Sequence, residues 1–285
     1  MSLDDALSYA AARELHALVV ARDGRLDAEV YGAGWDGAKP HPLYSGAKSF
    51  WGVAAVAAQA DGLLSLDETV GATFPAWRDD LQRRRVTLRM LLQMTSGIGF
   101  GGLGNAVPTY ERALETQLKR DPETTFTYSG IPLQVFGAVF ARKLAALGKT
   151  PHEYVRERIL DPIGMTIGSW RELSDGTHPL PTGAFVAARE WLKFGTLIAG
   201  HGTYDGKVVL AADMLAQCFA PTAVATRYGL GWWLDGLKNA PPDLVYASGA
   251  AGQALYVIPS TNTIIVHFSK ATNWNHQAFL RHFLN

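Results

Sequence analysis

The sequence predicts an α/β protein of the α+β kind: an antiparallel sheet built from both termini and flanked by helices, with an all-helical lobe inserted between them. Three observations carry this expectation. Strand-like runs lie near the start (17–21, 26–31) and the end (228–234, 253–258, 263–268). The middle third reads as helix. No strand–helix–strand alternation appears, which argues against a doubly wound parallel sheet.

The elements follow in order. Asp4 to His16, with Leu7, Ala11 and Leu15, reads as an opening helix capped by Ser2 or Asp4. Arg22-Asp23-Gly24 between two apolar runs is a hairpin signal. Gly32 to Pro42 is a loop broken by three glycines and two prolines. Ser45 to Gln59 is rich in Ala, Val and Phe and reads as a buried helix stopped at Gly62. Val86 to Met94 is a helix with Thr87 as its cap, and Ile131–Leu147, Pro151–Leu160 and Ala187–Ala199 are further helices. Pro259 to Asn262 is a turn between the last two strands, and a helix closes the chain from Asn275 to Phe283. Residues 1–285 are expected to form a single domain, with one lobe from about 1–60 plus 180–285 and a helical lobe over 61–179.

Composition narrows the function. The chain is 48% hydrophobic and 18% charged, ordinary globular usage. Its 26 basic and 26 acidic residues balance, so no field gathers nucleic acid or an anionic membrane. A small uncharged or mixed-charge molecule is the expected partner; oligomeric state is not encoded. No run approaches the ~20 apolar residues that span a bilayer. The single Cys218 permits no intramolecular disulfide and reads as a buried thiol. Met1 to Asp5 is acidic and lacks the basic and apolar regions of a signal peptide. A cytoplasmic protein is expected, or a periplasmic one if a leader has been removed.

The chemistry centres on Ser45-Gly46-Ala47-Lys48. Residues three apart share a helix face, so hydroxyl and amine can meet. Ser45 lies where loop becomes helix, at the positive end of the dipole. A serine hydroxyl needs a group to take its proton, and a lysine serves only when burial or cations lower its pKa. The run Phe50 to Ala58 supplies burial. With 12 serines and nine lysines in the chain, chance yields about 0.4 such spacings, so the motif alone is also compatible with a capping serine and an unrelated surface lysine.

Three segments together are more specific: Tyr44-Ser45-Gly46-Ala47-Lys48-Ser49-Phe50, Asp61-Gly62-Leu63-Leu64-Ser65-Leu66-Asp67, and Val86 through Gly97. In order and spacing they resemble the serine β-lactamase and penicillin-binding superfamily. The resemblance runs from about Val19 to Phe268 and is nearest to the class C type, family VIII carboxylesterases and 6-aminohexanoate-dimer hydrolases. It implies a β-lactamase/transpeptidase-like fold, with Ser45 as nucleophile, Lys48 as base and no metal or organic cofactor. The family's Tyr-x-Asn element reads Tyr128-Ser129-Gly130. By resemblance Tyr128 relays a proton, its phenol held partly ionised by its neighbours. Gly130, at a substrate-contacting position, replaces the asparagine. The family's Lys/His-Thr/Ser-Gly element aligns with Ala247-Ser248-Gly249. Ser248 and Gly249 would line substrate, and the N–H groups of Ala250 and Ser45 would form an oxyanion hole, such a donor contributing ~3 kcal/mol.

The implied activity is a serine hydrolase acting through an acyl-enzyme on carboxylic esters or linear amides. The loss of the asparagine at Gly130 and the cation at Ala247 argues against strong β-lactam turnover. A β-lactamase or D-Ala-type peptidase, an acyltransferase, or a penicillin-binding sensor that acylates without turnover are the alternatives. Other signals carry less. Gly99-Phe100-Gly101-Gly102-Leu103-Gly104 matches a dinucleotide fingerprint but follows a helix rather than a strand, and reads as a loop. No His-Glu-x-x-His or Gly-x-Ser-x-Gly exists. His276 and His282 read as surface or packing residues. Tyr228, Trp232 and Trp233 read first as sheet core, with one face open to bordering the pocket.

Overall fold

The computed structural model describes residues 3–234 and 240–283. Six strands form one antiparallel sheet: β1 (Leu15–Arg22), β2 (Arg25–Tyr31), β3 (Trp233–Leu234), β4 (Val245–Ser248), β5 (Ala254–Ile258) and β6 (Thr263–Ser269), ordered β2-β1-β6-β5-β4-β3. The termini meet in its middle, where Val19 faces Val266. The expected fold class is therefore the one observed.

Local chemistry explains the hairpin. Asp23 and Gly24 both take left-handed φ (48° and 75°), and Arg22 pairs with Arg25, the two-residue turn whose twist suits antiparallel strands. Both sheet faces are covered. Leu18, Val20, Tyr256 and Ile265 pack against α1 (Leu3–Ala11) and the C-terminal helix His276–Leu280. Ala17, Val19, Leu255 and Val266 face α2 (Lys48–Ala60) and α3 (Ala188–Ala199). Two-sided burial is why β1 and β6 read as continuous apolar runs rather than alternating ones. Every residue of α2 from Lys48 to Ala58 is buried. Between residues 61 and 168 the named elements are helical, including Leu88–Leu92, Ile131–Leu144 and Pro151–Val155. Thr87 caps the first of these by accepting from Met90 N (3.2 Å).

Several boundaries differ from expectation. The opening helix stops at Ala11 instead of reaching His16: Glu14 turns with φ 51°, and Leu15 already pairs with Ser269. Long-range pairing there overrides local helix preference. Asp4 sits in the first turn; Ser2 lies outside the described residues. Of the run 228–234 only Trp233–Leu234 joins the sheet. Gly231 (φ 80°) crosses α2 so closely that a Cβ would lie 2.3 Å from Lys48 O. The final helix spans His276–Leu280, with Asn275 Oδ1 accepting from Ala278 N (2.8 Å). A small sheet of His41–Pro42, Ala184–Val186 and Ser169–Trp170 was not anticipated. Strands of two or three residues carry no readable period.

Candidate active site

Residues 44–48 bridge the small sheet and α2. Tyr44 takes a left-handed φ of 47° and Gly46 N donates to Leu43 O (2.9 Å), forcing an abrupt entry into the helix. The first turn, Tyr44–Ala47, is a 3₁₀ turn rather than α-helix. Side chains at i and i+3 eclipse in that geometry, which aligns Ser45 with Lys48. Lys48 Nζ donates to Ser45 Oγ at 2.8 Å and to Pro181 O at 3.1 Å, and lies 4.8 Å from the centroid of the Tyr128 ring.

Lys48 is fully buried, and that burial alone pulls its pKa down to about 7. A carbonyl and a hydroxyl accept from it, which holds an amine in place without the charge of a carboxylate that would keep it protonated. Ser45 is half-buried.

Tyr128 lies on the segment entering Ile131–Leu144 and is anchored where Thr127 N donates to Met94 O (2.9 Å). The nearby Ser45 side chain favours the phenolate, but burial outweighs it and pushes the phenol up to about 12. The expected partly ionised phenol is thus corrected: Tyr128 is a neutral hydroxyl at physiological pH. Its ring stacks on Trp233 (5.5 Å between centroids) and meets Tyr228 edge-on (5.8 Å). Alternation sends Trp232 into the core and leaves Trp233 half-buried beside the site.

Gly130 is enclosed. A Cβ there would lie 1.7 Å from Gly102 O, far inside contact distance. Gly130 N and Ser129 Oγ both donate to Gly101 O (2.9 and 2.8 Å). The glycine-rich loop is pinned from its other side by Arg171, which donates to Asn105 Oδ1 (2.8 Å) and Gly104 O (2.9 Å). The space a side chain at 130 would take is occupied by the Gly102 carbonyl.

Gly249 closes the opposite wall. A Cβ on it would lie 2.0 Å from Leu43 O, so the end of β4 abuts the turn that carries Ser45. Ala250 follows, exposed, and its turn is held by Gln253 Nε2, which donates to the carbonyls of Ala250 (3.2 Å) and Ala251 (3.1 Å). Ala247 is buried in the main core. Ser248 faces the other way: its hydroxyl contacts His276 Nε2 (3.2 Å), whose Nδ1 contacts Tyr256 OH (2.7 Å). Ser45, Lys48 and Tyr128 are therefore brought together, Gly130 and Gly249 flank them, and the Ser248 side chain is engaged on the far face of the sheet. His276 is half-buried and takes the packing role of the two expected for it, its imidazole held neutral by burial at a pKa of about 4. Among the described residues no group of three or more His, Cys, Asp or Glu is placed to hold a metal ion.

Reading the sequence did not find the Pro181 carbonyl or the left-handed Tyr44. A backbone acceptor 133 residues from Lys48 leaves no local signature.

A serine hydroxyl paired with a buried amine, on a turn that abuts the end of a sheet strand, is an arrangement that suits a serine hydrolase. The chain belongs to the beta-lactamase family, whose profile matches residues 9–284. No curated protein matches it. Among solved structures it is similar to a Bacillus anthracis protein assigned to the 6-aminohexanoate-dimer hydrolases (TM-score 0.80, 21% identity, covering 98% of this chain and 78% of that one). It is also similar to a class C beta-lactamase from Rhodobacter sphaeroides (0.74, 18%, 98% and 96%) and to a family VIII carboxylesterase (0.76, 16%, 95% and 91%). At these identities the likeness is one of fold.

Proposed function

We propose that this hydrolase cleaves carboxylic esters or linear amides through an acyl-enzyme on Ser45. The observation that carries the reading is the 2.8 Å contact between Ser45 Oγ and the buried Lys48 Nζ. Neutral Lys48 takes the Ser45 proton as Oγ attacks the substrate carbonyl. The resulting oxyanion is stabilised by the N–H groups of Ser45 and Ala250. Tyr128, protonated at neutral pH, donates to the departing alkoxide or amine and recovers its proton from Lys48. Water then attacks the acyl-enzyme by the reverse sequence and frees Ser45.

Esters and linear amides are favoured over β-lactams by the two walls. Gly130 presents no amide and Ala247 no cation, and the Gly102 carbonyl stands where a side chain at 130 would project.

The test is hydrolysis of p-nitrophenyl butyrate by wild type and Ser45→Ala, with nitrocefin alongside. Ester turnover that falls at least about 10³-fold in the variant is expected, with nitrocefin turned over far more slowly than the ester. Nitrocefin kcat/KM equal to that for the ester would reverse the preference, and a single stoichiometric burst would replace turnover by a sensing role.

A further inference from the structure

A cleft of about 800 Å³ is lined by His178, three residues before the Pro181 carbonyl, and by none of Ser45, Lys48 and Tyr128. Its lining includes Tyr110, Ala145, Leu160, Trp170 and the imidazoles of His152 and His178. The chain runs from His178 on this cleft to Pro181 beside Lys48. Its Leu180 and Pro181 carbonyls accept from Trp51 Nε1 (2.6 Å) and Lys48 Nζ, while Leu180 N donates to Gln134 Oε1 (2.8 Å).

The two histidines are the chemically unspent groups. His152 is packed edge-on against Trp51, Trp170 and His178, with centroids 4.8, 4.5 and 4.9 Å away. Its Nε2 is buried without a hydrogen-bond partner, and burial lowers its pKa to about 3, so the ring is neutral. His178 Nδ1 lies 2.9 Å from Arg171 O. A carbonyl only accepts, so Nδ1 donates to it and is already spent, which leaves Nε2 as the remaining polar atom of the ring. The cations on the rim are already paired, Lys149 and Arg156 both with Glu157 (2.7 and 3.0 Å), and the Glu153 carboxylate accepts from Thr150 in a capping box. An unpartnered buried nitrogen costs about 1–3 kcal/mol, and a mostly apolar concavity with a few polar groups is the usual form of a ligand site.

We propose that this cleft is a second small-molecule site, taking an uncharged alcohol or phenol with an aromatic or aliphatic body. The body lies against Trp170 and Leu160, and the hydroxyl, able both to donate and to accept, meets the edge of the imidazole pair formed by His152 and His178.

The experiment is isothermal titration calorimetry with 1-naphthol. The wild type is expected to bind one equivalent with Kd about 100 µM or tighter, as suits a ligand of this size. Enzyme labelled at Ser45 with a fluorophosphonate, and Ser45→Ala, are expected to bind unchanged. His152→Leu removes the orphan nitrogen and Ala145→Trp fills the cleft from an exposed position; each is expected to weaken binding at least tenfold. Naphthalene, lacking the hydroxyl, is expected to bind at least tenfold more weakly than 1-naphthol. Absence of binding by the wild type, loss of binding on labelling Ser45, or full binding by Ala145→Trp overturns the proposal. Because the readout is heat rather than turnover, its failure is separate from failure of the catalytic reading.

Discussion

Lys48 Nζ sits 2.8 Å from Ser45 Oγ, and among the described residues no carboxylate draws its proton back. In many buried lysines a nearby acid restores the charge; here the acceptors are a hydroxyl and the Pro181 carbonyl. The balance between a buried ammonium and a neutral amine is then set by burial, and it falls near neutrality. That places the base where both its free and protonated forms are populated in the working range, the condition for efficient proton transfer.

The first consequence is a pH profile. Only neutral Lys48 can accept the Ser45 proton, so kcat/KM for p-nitrophenyl butyrate should rise about tenfold per pH unit below about 7 and level off above it. Steady-state rates between pH 5 and 9 check this. A profile flat down to pH 5 would remove Lys48 as the base.

The same burial costs stability. Between about pH 7 and the ordinary lysine range of ~10.4 the unfolded chain binds more protons than the folded one, so wild-type stability rises with pH across that window. Below about 7 the folded protein carries a buried ammonium, a penalty of roughly 4 kcal/mol. Lys48→Met removes it while leaving Ser45 and Pro181 without a donor, which costs about 1–3 kcal/mol. The variant should be inactive yet more stable by about 1–3 kcal/mol at pH 6, with the advantage gone by pH 10. Urea unfolding at the two pH values measures this. A variant less stable at pH 6 would contradict the burial argument.

How far the sequence reached can be judged from particular residues. Asp23-Gly24, the Thr87 cap and the Ser45–Lys48 spacing are local signals, and each stands as read. Readings failed where distant partners decide. His16 is strand because Leu15 pairs with Ser269, and Tyr128 is neutral because of what surrounds it rather than what flanks it in sequence. Ser248 was expected to line substrate, but strand alternation turns it toward His276, with only Gly249 facing the Ser45 turn.

Tyr128→Phe separates the relay from packing. The ring stack on Trp233 is retained, so folding should change little. The proton donor is lost, so kcat should fall about 10²–10³-fold on alkyl esters, whose alkoxides need protonation, and much less on p-nitrophenyl esters, whose phenolate leaves unaided. Because the phenol is raised to about 12, the wild type should show no loss of activity from tyrosine ionisation up to pH 10. Equal losses on both ester types would assign Tyr128 a purely structural role.

The last prediction concerns the wall at Gly130. Introducing a Cβ requires the Gly102 carbonyl to retreat from 1.7 Å to ordinary contact, and that carbonyl belongs to backbone rather than to a yielding side chain. The loop cannot retreat freely, since Gly101 O accepts two bonds from 129–130 and Arg171 holds Gly104 and Asn105. Gly130→Ala should therefore cost about 3 kcal/mol, at the upper end of overpacking effects. Gly130→Asn should cost at least as much without creating nitrocefin turnover, because its amide has no space beside Ser45 while the loop stays. Adding Arg171→Ala should recover part of that loss, since one restraint on the loop is gone and the two substitutions share a structural cause. Thermal unfolding of the single and double variants reads the coupling directly. Strictly additive effects would show that Arg171 does not brace the loop against Gly130.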